Sequence, residues 1–244
     1  MLQRINKYLA SLGVASRRKI DELIEKKKVL INNHVAKLGD KVDDYQDTVQ
    51  IGKKIYPPTS APKHFEYWLV YKPVGYVSST HDPEGKPVVT SLVSTKQRVY
   101  PVGRLDLDSE GLIILTNDGK FTNRLTHPSH HLAKIYHVSV AGKISSNGLM
   151  QIRKGIKMKR SKFAPAEIRI LDKDEGIATL EITLYQGLNR QIRRMMKAIN
   201  LEVKKLVRVA VGGLELGKLK PGEARLLTEQ EIDKIFLESK AQIS

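Results

Sequence analysis

The 244-residue chain contains no cysteine, and its apolar residues form no long uninterrupted run. Without cysteine, disulfides, thiol nucleophiles and cysteine-ligated metals are all excluded. No apolar segment approaches the length of a membrane span, and the basic N-terminal stretch lacks the apolar core of a signal peptide. That stretch is compatible with an organelle transit sequence, but its regular apolar spacing favours a folded helix. We therefore expect a cytoplasmic protein that does not enter a membrane.

Acidic residues are scarce relative to basic ones, with 26 Asp and Glu against 42 Lys and Arg and a net charge of +16. Such an excess attracts polyanions, and nucleic acid is the expected partner. An anionic membrane surface is the second candidate, but the basic residues are spread over both halves of the chain. A basic surface that only maintains solubility remains open on charge alone.

The chain is expected to divide near residue 60, because "PPTSAPKH" (57–64) has the composition of a linker. We predict a small helix-rich domain at 1–60 and a larger domain at 64–244. In the small domain, one helical face carries Leu2, Ile5, Leu9 and Leu12, and Gly13 ends that helix. A second helix with Ser16 as its N-cap exposes the basic side chains Arg17, Arg18 and Lys19 and buries Ile20, Leu23 and Ile24.

The larger domain reads as strand-rich with a few helices, so the fold class is α+β with a mixed or antiparallel sheet. The predicted strands are "EYWLVYKP", "GLIILT", "AKIYHVSVAG", "EIRILD" and "IATLEITLYQG". A basic helix, "NRQIRRMMKAI", follows them, with Ile192, Met195, Met196 and Ile199 on its inner face. A capping box from Thr228 to Glu231 starts the final helix.

The segment "VGRLDLDSEGLIILTNDG" (102–119) concentrates acids just before an apolar strand. As a calcium loop, Asp106, Asp108, Glu110 and Gly111 fit the first positions of an EF-hand, but Asn117 occupies the place of the bidentate Glu. The residues between are also strand-like, so calcium is not expected. An Asp-rich turn beside a glycine is the ordinary structural interpretation.

Three histidines in "THPSHH" also invite a metal interpretation. His130 and His131 are adjacent, however, and no acid or cysteine joins them and His127 to complete a ligand set. Surface or RNA-facing positions are the better interpretation, and we predict no metal site.

The first 60 residues resemble the small RNA-binding domain named after ribosomal small-subunit protein four. The resemblance is carried by Ser16-Arg17-Arg18-Lys19, by Ile31-Asn32-Asn33 and by "LGDKV" (38–42). Lys27 and Asn33 stand where that domain usually has glycine. Asparagine tolerates a left-handed backbone, whereas lysine does so at a cost. The resemblance implies that Arg17, Arg18 and Lys19 bind RNA.

From Tyr67 onward the chain resembles the bacterial ribosomal-RNA pseudouridine synthases of the group that includes small-subunit synthase A and large-subunit synthases B, E and F. The matching segments are "YKPVGYVSS", "GRLDLDSEGLIILTNDG", "AKIYHV", "QGLNRQIRRM" and "KKLVRVAVGGLELGKLKPGEARLLT", in the family's order. The resemblance covers almost the entire chain. It implies an isomerase that converts uridine to pseudouridine.

The resemblance also assigns roles to single residues. Asp106, which follows Gly103-Arg104-Leu105, is implied to be the catalytic carboxylate, and Arg193 is implied to pair with it. Helical periodicity leaves open a phosphate contact for Arg193, like those of its neighbours. Tyr136 is implied to stack on the target base and help move a proton. Contacts to RNA are implied for Arg104, Lys134, Asn189, Arg190 and Arg194. Leu206 or Val207 closes the floor of the pocket or only packs in the core.

The reaction breaks one bond to the ribose, rotates the base and forms another, so nothing is consumed and no cofactor is expected. The target uridine must leave its stack to reach the acid. We expect a monomer acting on structured ribosomal RNA, with the wording of "THPSHH" and "GLNRQIRRM" leaning toward the large subunit. A non-catalytic RNA-binding or ribosome-assembly factor is the competing class, and the intact Asp106, Tyr136 and Arg193 set argues against it.

Overall fold

The computed structural model describes residues 2–58, 64–158, 161–174 and 176–237. The chain separates into two compact units. The first takes residues 1–65 together with 117–119, and the second takes 66–116 and 120–244. The predicted linker falls mainly on residues 59–63, which lie outside the described part. No helix in the described ranges is long and apolar enough to cross a membrane.

The first unit packs two helices against short strands. In chain order the elements are β1 (Leu2–Arg4), α1 (Ile5–Ser11), α2 (Arg17–Glu25), β2 (Val29–Ile31), β3 (His34–Val35), β4 (Lys41–Asp43), β5 (Val49–Ile51) and β6 (Lys54–Tyr56). Strands β2, β3, β5 and β6 form a sheet in the order β3-β2-β5-β6, and β1 pairs antiparallel with β4. The helices bury Ile5, Tyr8 and Leu9 from α1 and Ile20 and Ile24 from α2.

The first helix begins later than its apolar spacing predicts. Leu2 was expected on the buried helical face, but it lies in β1 and is 62% exposed. Pairing with β4 holds residues 2–4 extended, and the Ile5 N–H donates to the Asp40 carbonyl as the helix starts. Tyr8 is fully buried and supplies the inward contact instead. The second helix begins as predicted, with the Ser16 side chain accepting from the Lys19 N–H.

The rest of the described chain contains a large sheet with helices on both faces. Two short 3₁₀ segments, Val89–Leu92 and Pro128–His130, connect larger elements. In chain order these are β7 (Tyr67–Lys72), β8 (Tyr100–Val102), β9 (Glu110–Thr116), α3 (Gly119–Thr126), β10 (Lys134–Ala141), α4 (Ser146–Lys154), β11 (Lys157–Met158), β12 (Ser161–Lys162), β13 (Glu167–Asp174), β14 (Ile177–Leu184), α5 (Gln191–Ala198), β15 (Glu202–Val211), β16 (Leu214–Glu215), β17 (Ala224–Leu226) and α6 (Glu229–Leu237).

The large sheet is mixed, which confirms the α+β expectation. Its order is β13-β14-β10-β15-β9-β7-β17, with β8 paired to β9 and β16 paired to β15. Successive residues of β9 point into different cores: Ile113 packs on the side of α4 and α5, and Leu112 on the side of α3 and α6. A strand covered on both faces reads as a continuous apolar run, which explains "GLIILT".

The centre of this sheet opens at its parallel junction. Strands β9 and β15 pair in parallel through two residue pairs, the second joining Gly111 to Arg208. At Gly111 the backbone is left-handed, and a Cβ there would lie 2.4 Å from the Arg208 carbonyl oxygen. Only glycine permits this approach. Leu112 and Ile114 of β9 and Val211 of β15 then line a common cavity beyond the paired residues.

Candidate active site

The cavity at this opening has a volume of about 970 Å³ and is lined entirely by residues of the second unit. That volume is at the upper end of the range for small-molecule sites and suffices for a nucleotide base. Leu206, rather than Val207, contributes to its apolar wall. Six of the residues implied by the resemblance line it, namely Asp106, Tyr136, Arg104, Lys134, Asn189 and Arg190.

The loop that carries Asp106 is fixed through its backbone on both sides of the acid. The Ser78 hydroxyl donates to the Leu105 carbonyl at 2.8 Å and accepts from the Leu105 N–H at 3.0 Å. Beyond the acid, the Lys72 ammonium donates to the Ser109 carbonyl at 2.7 Å. A turn links the Ser109 N–H to the Asp106 carbonyl. The half-buried Asp106 side chain is thereby held in the cavity wall.

Asp108 anchors this loop to α5. Arg190 donates to both carboxylate oxygens of Asp108, at 3.0 and 2.8 Å. Arg193 donates from Nη2 to the Asp108 carbonyl at 2.7 Å, and its Nε lies 3.2 Å from Oδ2. The hydrogen bond from Arg190 holds the pKa of Asp108 below its usual value, so the anchor stays ionised near neutral pH.

This arrangement corrects the predicted partner of Arg193. The resemblance implied an ion pair with Asp106, but the carboxylate beside Arg193 belongs to Asp108. The turn from Asp106 to Ser109 directs the Asp108 side chain to α5, while the Asp106 side chain lines the cavity. Arg193 also donates to the Val203 carbonyl and is not among the lining residues. It acts here as a brace for the loop.

Tyr136 lies on β10, between Ile182 of β14 and Arg208 of β15. Its side chain is 9% exposed and lines the cavity as part of the main apolar core. Two residues earlier on the same strand face, Lys134 also lines the cavity, and its ammonium donates to the Leu132 carbonyl at 3.0 Å. Burial, reinforced by the charge of Arg208, lowers the pKa of Lys134 to about 8.

Sequence reasoning missed three polar residues that build this site: Lys72, Ser78 and Arg208. Lys72 is fully buried at the end of β7. Burial lowers its pKa to about 8, although the negative charge of Glu110 acts in the opposite direction and raises it. Arg208 is 5% exposed, and its Nε donates to the Leu112 carbonyl at 2.7 Å. One sequence signal was available for Arg208, which stands between Leu206 and Ala210 at the two-residue spacing typical of one strand face.

The remaining predicted RNA contacts lie elsewhere. Arg194 stacks over the ring of Phe163, with its guanidinium carbon 4.9 Å from the ring centroid. In the first unit, Arg17, Arg18 and Lys19 are exposed in the first turn of α2. Lys19 forms an ion pair with Glu22 at 2.7 Å.

The acidic loop and the histidines do not converge on a common point. Glu110 lies 3.0 Å from the Lys205 ammonium, while Asp108 pairs with Arg190 and Arg193. His127 and His131 line the cavity, and the His127 ring packs edge-on against His130. Within the described ranges, no group of three His, Cys, Asp or Glu side chains is arranged to hold a metal ion.

Comparisons with known proteins identify a family for each of the two units. The sequence pattern of the RNA pseudouridylate synthase family matches residues 66–198, and that of the S4 domain matches residues 3–48. The chain belongs to the RNA pseudouridylate synthase family, as its motifs indicate. It is therefore an RNA-modifying enzyme, a pseudouridine synthase with an S4 domain.

Similar proteins cover nearly its whole length. Ribosomal large subunit pseudouridine synthase B of Bacillus subtilis is 40% identical over 238 residues, covering 96% of each chain. Dual-specificity RNA pseudouridine synthase RluF of Escherichia coli is 36% identical, covering 96% of this chain and 78% of its own. A crystal structure of a pseudouridylate synthase superposes with a TM-score of 0.68 at 29% identity, covering 95% of this chain and 99% of the other.

Proposed function

We propose that the chain converts a uridine of ribosomal RNA, in the large subunit, to pseudouridine, with Asp106 as the catalytic carboxylate and no cofactor. The observation that carries the proposal is the setting of Asp106: its side chain lines a cavity large enough for a nucleotide base, on a loop braced on both sides. A reacting group fixed in this way needs no reorganisation when substrate arrives, and such positioning is a major source of rate enhancement.

The chemistry balances without any added reactant. The bond between N1 of the base and C1′ of the ribose breaks, the base rotates, and C5 bonds to C1′. The proton that leaves C5 is matched by one gained at N1, so the product is an isomer. The Asp106 carboxylate acts as nucleophile or base, at the ribose or at the ring. The buried ring of Tyr136 stacks on the flipped base, and its hydroxyl assists the proton transfer.

The substrate class is supported by the two units and by the relatives. The S4 pattern in the first unit and the net charge of +16 favour an RNA target larger than one nucleotide. The relative from Bacillus subtilis is named for the ribosomal large subunit. We assign residues 1–60 to an RNA-binding domain and 64–244 to the catalytic domain. We also propose that the enzyme acts as a monomer.

Pseudouridine mapping tests the substrate. Transcripts of both ribosomal subunits are incubated with purified enzyme, and ribosomal RNA from cells with and without the gene is mapped in parallel. We expect a large-subunit uridine to be modified by the enzyme and to remain unmodified in cells that lack the gene. Modification confined to the small subunit, or found in neither RNA, would contradict the proposal.

Substitution of Asp106 tests the mechanism. Asp106→Asn keeps the size of the side chain but removes the charge that a nucleophile or base requires. Pseudouridine formation should fall below detection, while affinity for the RNA should stay within a few-fold of the wild-type value. Turnover that survives in Asp106→Asn but disappears in Asp108→Asn would transfer the catalytic role to Asp108.

A further inference from the structure

Two cations in the cavity wall, the buried Arg208 and the half-buried Lys134, have no acidic partner among the described residues. Arg208 donates only from Nε, to the Leu112 carbonyl, and its two Nη atoms make no hydrogen bond or ion pair with any residue of the described ranges. Lys134 donates to the Leu132 carbonyl and likewise has no carboxylate partner in the part of the chain that the structure describes. Both side chains line the cavity. Burying a charge is costly unless it is paired, so this arrangement favours an incoming anion.

A β-bulge brings the two cations to one face. Lys134 pairs with Val211 and Ile135 with Ala210, but Tyr136 pairs with Arg208, so β15 has an extra residue at Val209. In an uninterrupted ladder Tyr136 would face Val209, and Arg208 would point to the opposite side of the sheet. The bulge therefore turns Arg208 toward Tyr136 and Lys134. Bulges beside active sites commonly redirect a side chain in this way.

Lys72, which is fully buried, has different electrostatic surroundings from Lys134. The positive charge of Lys72 is stabilised by the negative charges of Glu110, Asp106 and Asp108. For Lys134, burial and the like charge of Arg208 both disfavour the ammonium, and no acid counters them within the described residues. The cavity therefore has an acidic side at Asp106 and an uncompensated cationic side at Lys134 and Arg208.

We propose that Lys134 and Arg208 together bind one phosphate of the RNA strand that carries the target uridine. This inference rests on the proposed function and adds a phosphate subsite to the same cavity. The two free Nη atoms of Arg208 match two phosphate oxygens, and the Lys134 ammonium has donors left for a third contact. A neutral carbonyl of the base would leave the two charges uncompensated. Only the Lys134 contact to RNA was anticipated from the sequence.

The test measures which phosphate each cation contacts. The Asp106→Asn enzyme, which should not turn over, is titrated with a short oligouridylate and with copies in which one phosphodiester at a time is a neutral methylphosphonate. At one position the neutral link should weaken binding by roughly 10- to 100-fold, the usual range for a charge-assisted hydrogen-bond pair. Lys134→Gln and Arg208→Gln are then each combined with Asp106→Asn. In both double variants the same neutral link should weaken binding by less than about 3-fold, because the contact to that phosphate is already lost.

Two controls keep the result unambiguous. Lys143→Gln makes the same change to an exposed lysine just beyond the far end of β10. It should leave the loss of affinity at each methylphosphonate position unchanged. Lys134 is only half-buried, so its variant should fold even if Arg208→Gln, which removes the bond to Leu112, does not. Two results would overturn the phosphate site. One is an undiminished loss of affinity at the same methylphosphonate position in the Lys134→Gln variant, and the other is the absence of any position-dependent loss in Asp106→Asn itself. Because binding is measured without turnover, failure of the mapping experiment alone would contradict only the proposed reaction.

Discussion

Lys27 adopts a backbone conformation that its side chain disfavours, with a φ of 54° in the turn after α2. Its N–H donates to the Ile24 carbonyl and the next N–H donates to Leu23, the pattern of a helix C-terminus that usually ends in glycine. The sequence indicated this conflict, because glycine is usual at this position in the related domain. Asn33, the other replaced glycine, also has a positive φ, which asparagine tolerates.

Lys27→Gly should therefore stabilise the first unit. Removing the left-handed strain should raise the free energy of unfolding by roughly 1–2 kcal/mol. The greater freedom of glycine in the unfolded chain offsets part of this increase, so the net stabilisation should be roughly 1 kcal/mol. In hydrogen-exchange measurements on the full-length protein, the core amides of residues 2–58 should exchange about fivefold more slowly. Lys28→Gly removes the same charge one residue later, where φ is not positive, and should not stabilise. Equal effects of the two variants would show that charge, and not strain, is responsible.

The low pKa of Lys134 predicts a pH dependence of RNA binding. With a pKa of about 8 in the free enzyme, this lysine loses its charge as the pH rises through 8, and affinity for a phosphate should fall with it. Affinity falls with rising pH, and does not increase, because the bound phosphate favours the protonated lysine and so raises its pKa in the complex. Between pH 7 and 9 the dissociation constant of wild-type enzyme should therefore rise more than that of Lys134→Arg, whose guanidinium stays charged.

Other titratable groups around the cavity are present in both enzymes of that comparison. They are Asp106, Arg104, His127, His131, Tyr136, Tyr185, Arg190 and Arg208. Their titration, and that of uracil itself, is therefore common to the two curves. Parallel curves for wild type and Lys134→Arg would contradict the assignment of the pH effect to Lys134.

Among the secondary structure elements, local pattern predicted most of the strands and helices but not the contacts between them. The run "GLIILT" became β9, and the capping box of α6 formed as expected, with the Thr228 hydroxyl accepting from the Glu231 N–H at 3.2 Å. Such features depend on neighbours in sequence. The bulge at Val209 depends on residues about 70 positions apart, and the parallel pairing of β9 with β15 on residues about 100 positions apart. Periodicity in a single sequence cannot reveal either.

The same distinction applies to the candidate site. Motifs singled out Asp106, Tyr136 and the arginines of α5 because each motif is a short local string. They did not resolve which carboxylate Arg193 contacts, because Asp106 and Asp108 are two residues apart and both could reach α5. The turn at Asp106 decides between them in three dimensions. Lys72 and Arg208 were overlooked because a charged residue inside an apolar strand acquires meaning only when its burial is known.

The brace between the Asp106 loop and α5 predicts a kinetic defect with little loss of stability. Asp108→Asn removes the charge that holds Arg190 and Arg193, so the loop should hold Asp106 less accurately. We expect kcat to fall by about 10- to 100-fold with RNA affinity retained. Asp108 is 45% exposed, so the free energy of unfolding should drop by no more than about 1 kcal/mol.

A double-mutant cycle separates bracing from catalysis. Arg190→Ala should lower kcat in the same way. The combined variant should lose less than the product of the two single losses, because both substitutions remove the same Arg190–Asp108 contact. Steady-state kinetics on the mapped RNA together with thermal unfolding provide the readouts. Fully additive losses in kcat, or an unchanged kcat in Asp108→Asn, would contradict the brace.

For the molecule as a whole, the charge excess is shared by both units, with 12 basic against seven acidic residues in the first 60 positions. Composition therefore predicted a polyanionic partner but not which side chains contact it. In the first turn of α2, Lys19 is already paired with Glu22, whereas Arg17 and Arg18 have no partner among the residues described. The resemblance treated these three cations alike, and the structure distinguishes them. The two arginines are the better candidates for phosphate contacts, supported by the exposed amides of the helix N-terminus.

Replacing Arg17 and Arg18 together with Ala should therefore weaken binding to structured ribosomal RNA and reduce its salt dependence. If each arginine contacts one phosphate, the slope of log affinity against log salt should become shallower by about 1.4 units, at roughly 0.7 per contact. Adding Lys19→Ala should change the slope little, since its charge is already neutralised by Glu22. The double variant Lys26→Ala with Lys28→Ala removes the same charge at the other end of α2 and should leave the slope near the wild-type value. Because Asp106 and Tyr136 are untouched, the effect should appear in KM and not in kcat. An unchanged slope would mean that the arginines form only a solvated helix surface, and a large fall in kcat would mean that they act on the catalytic site.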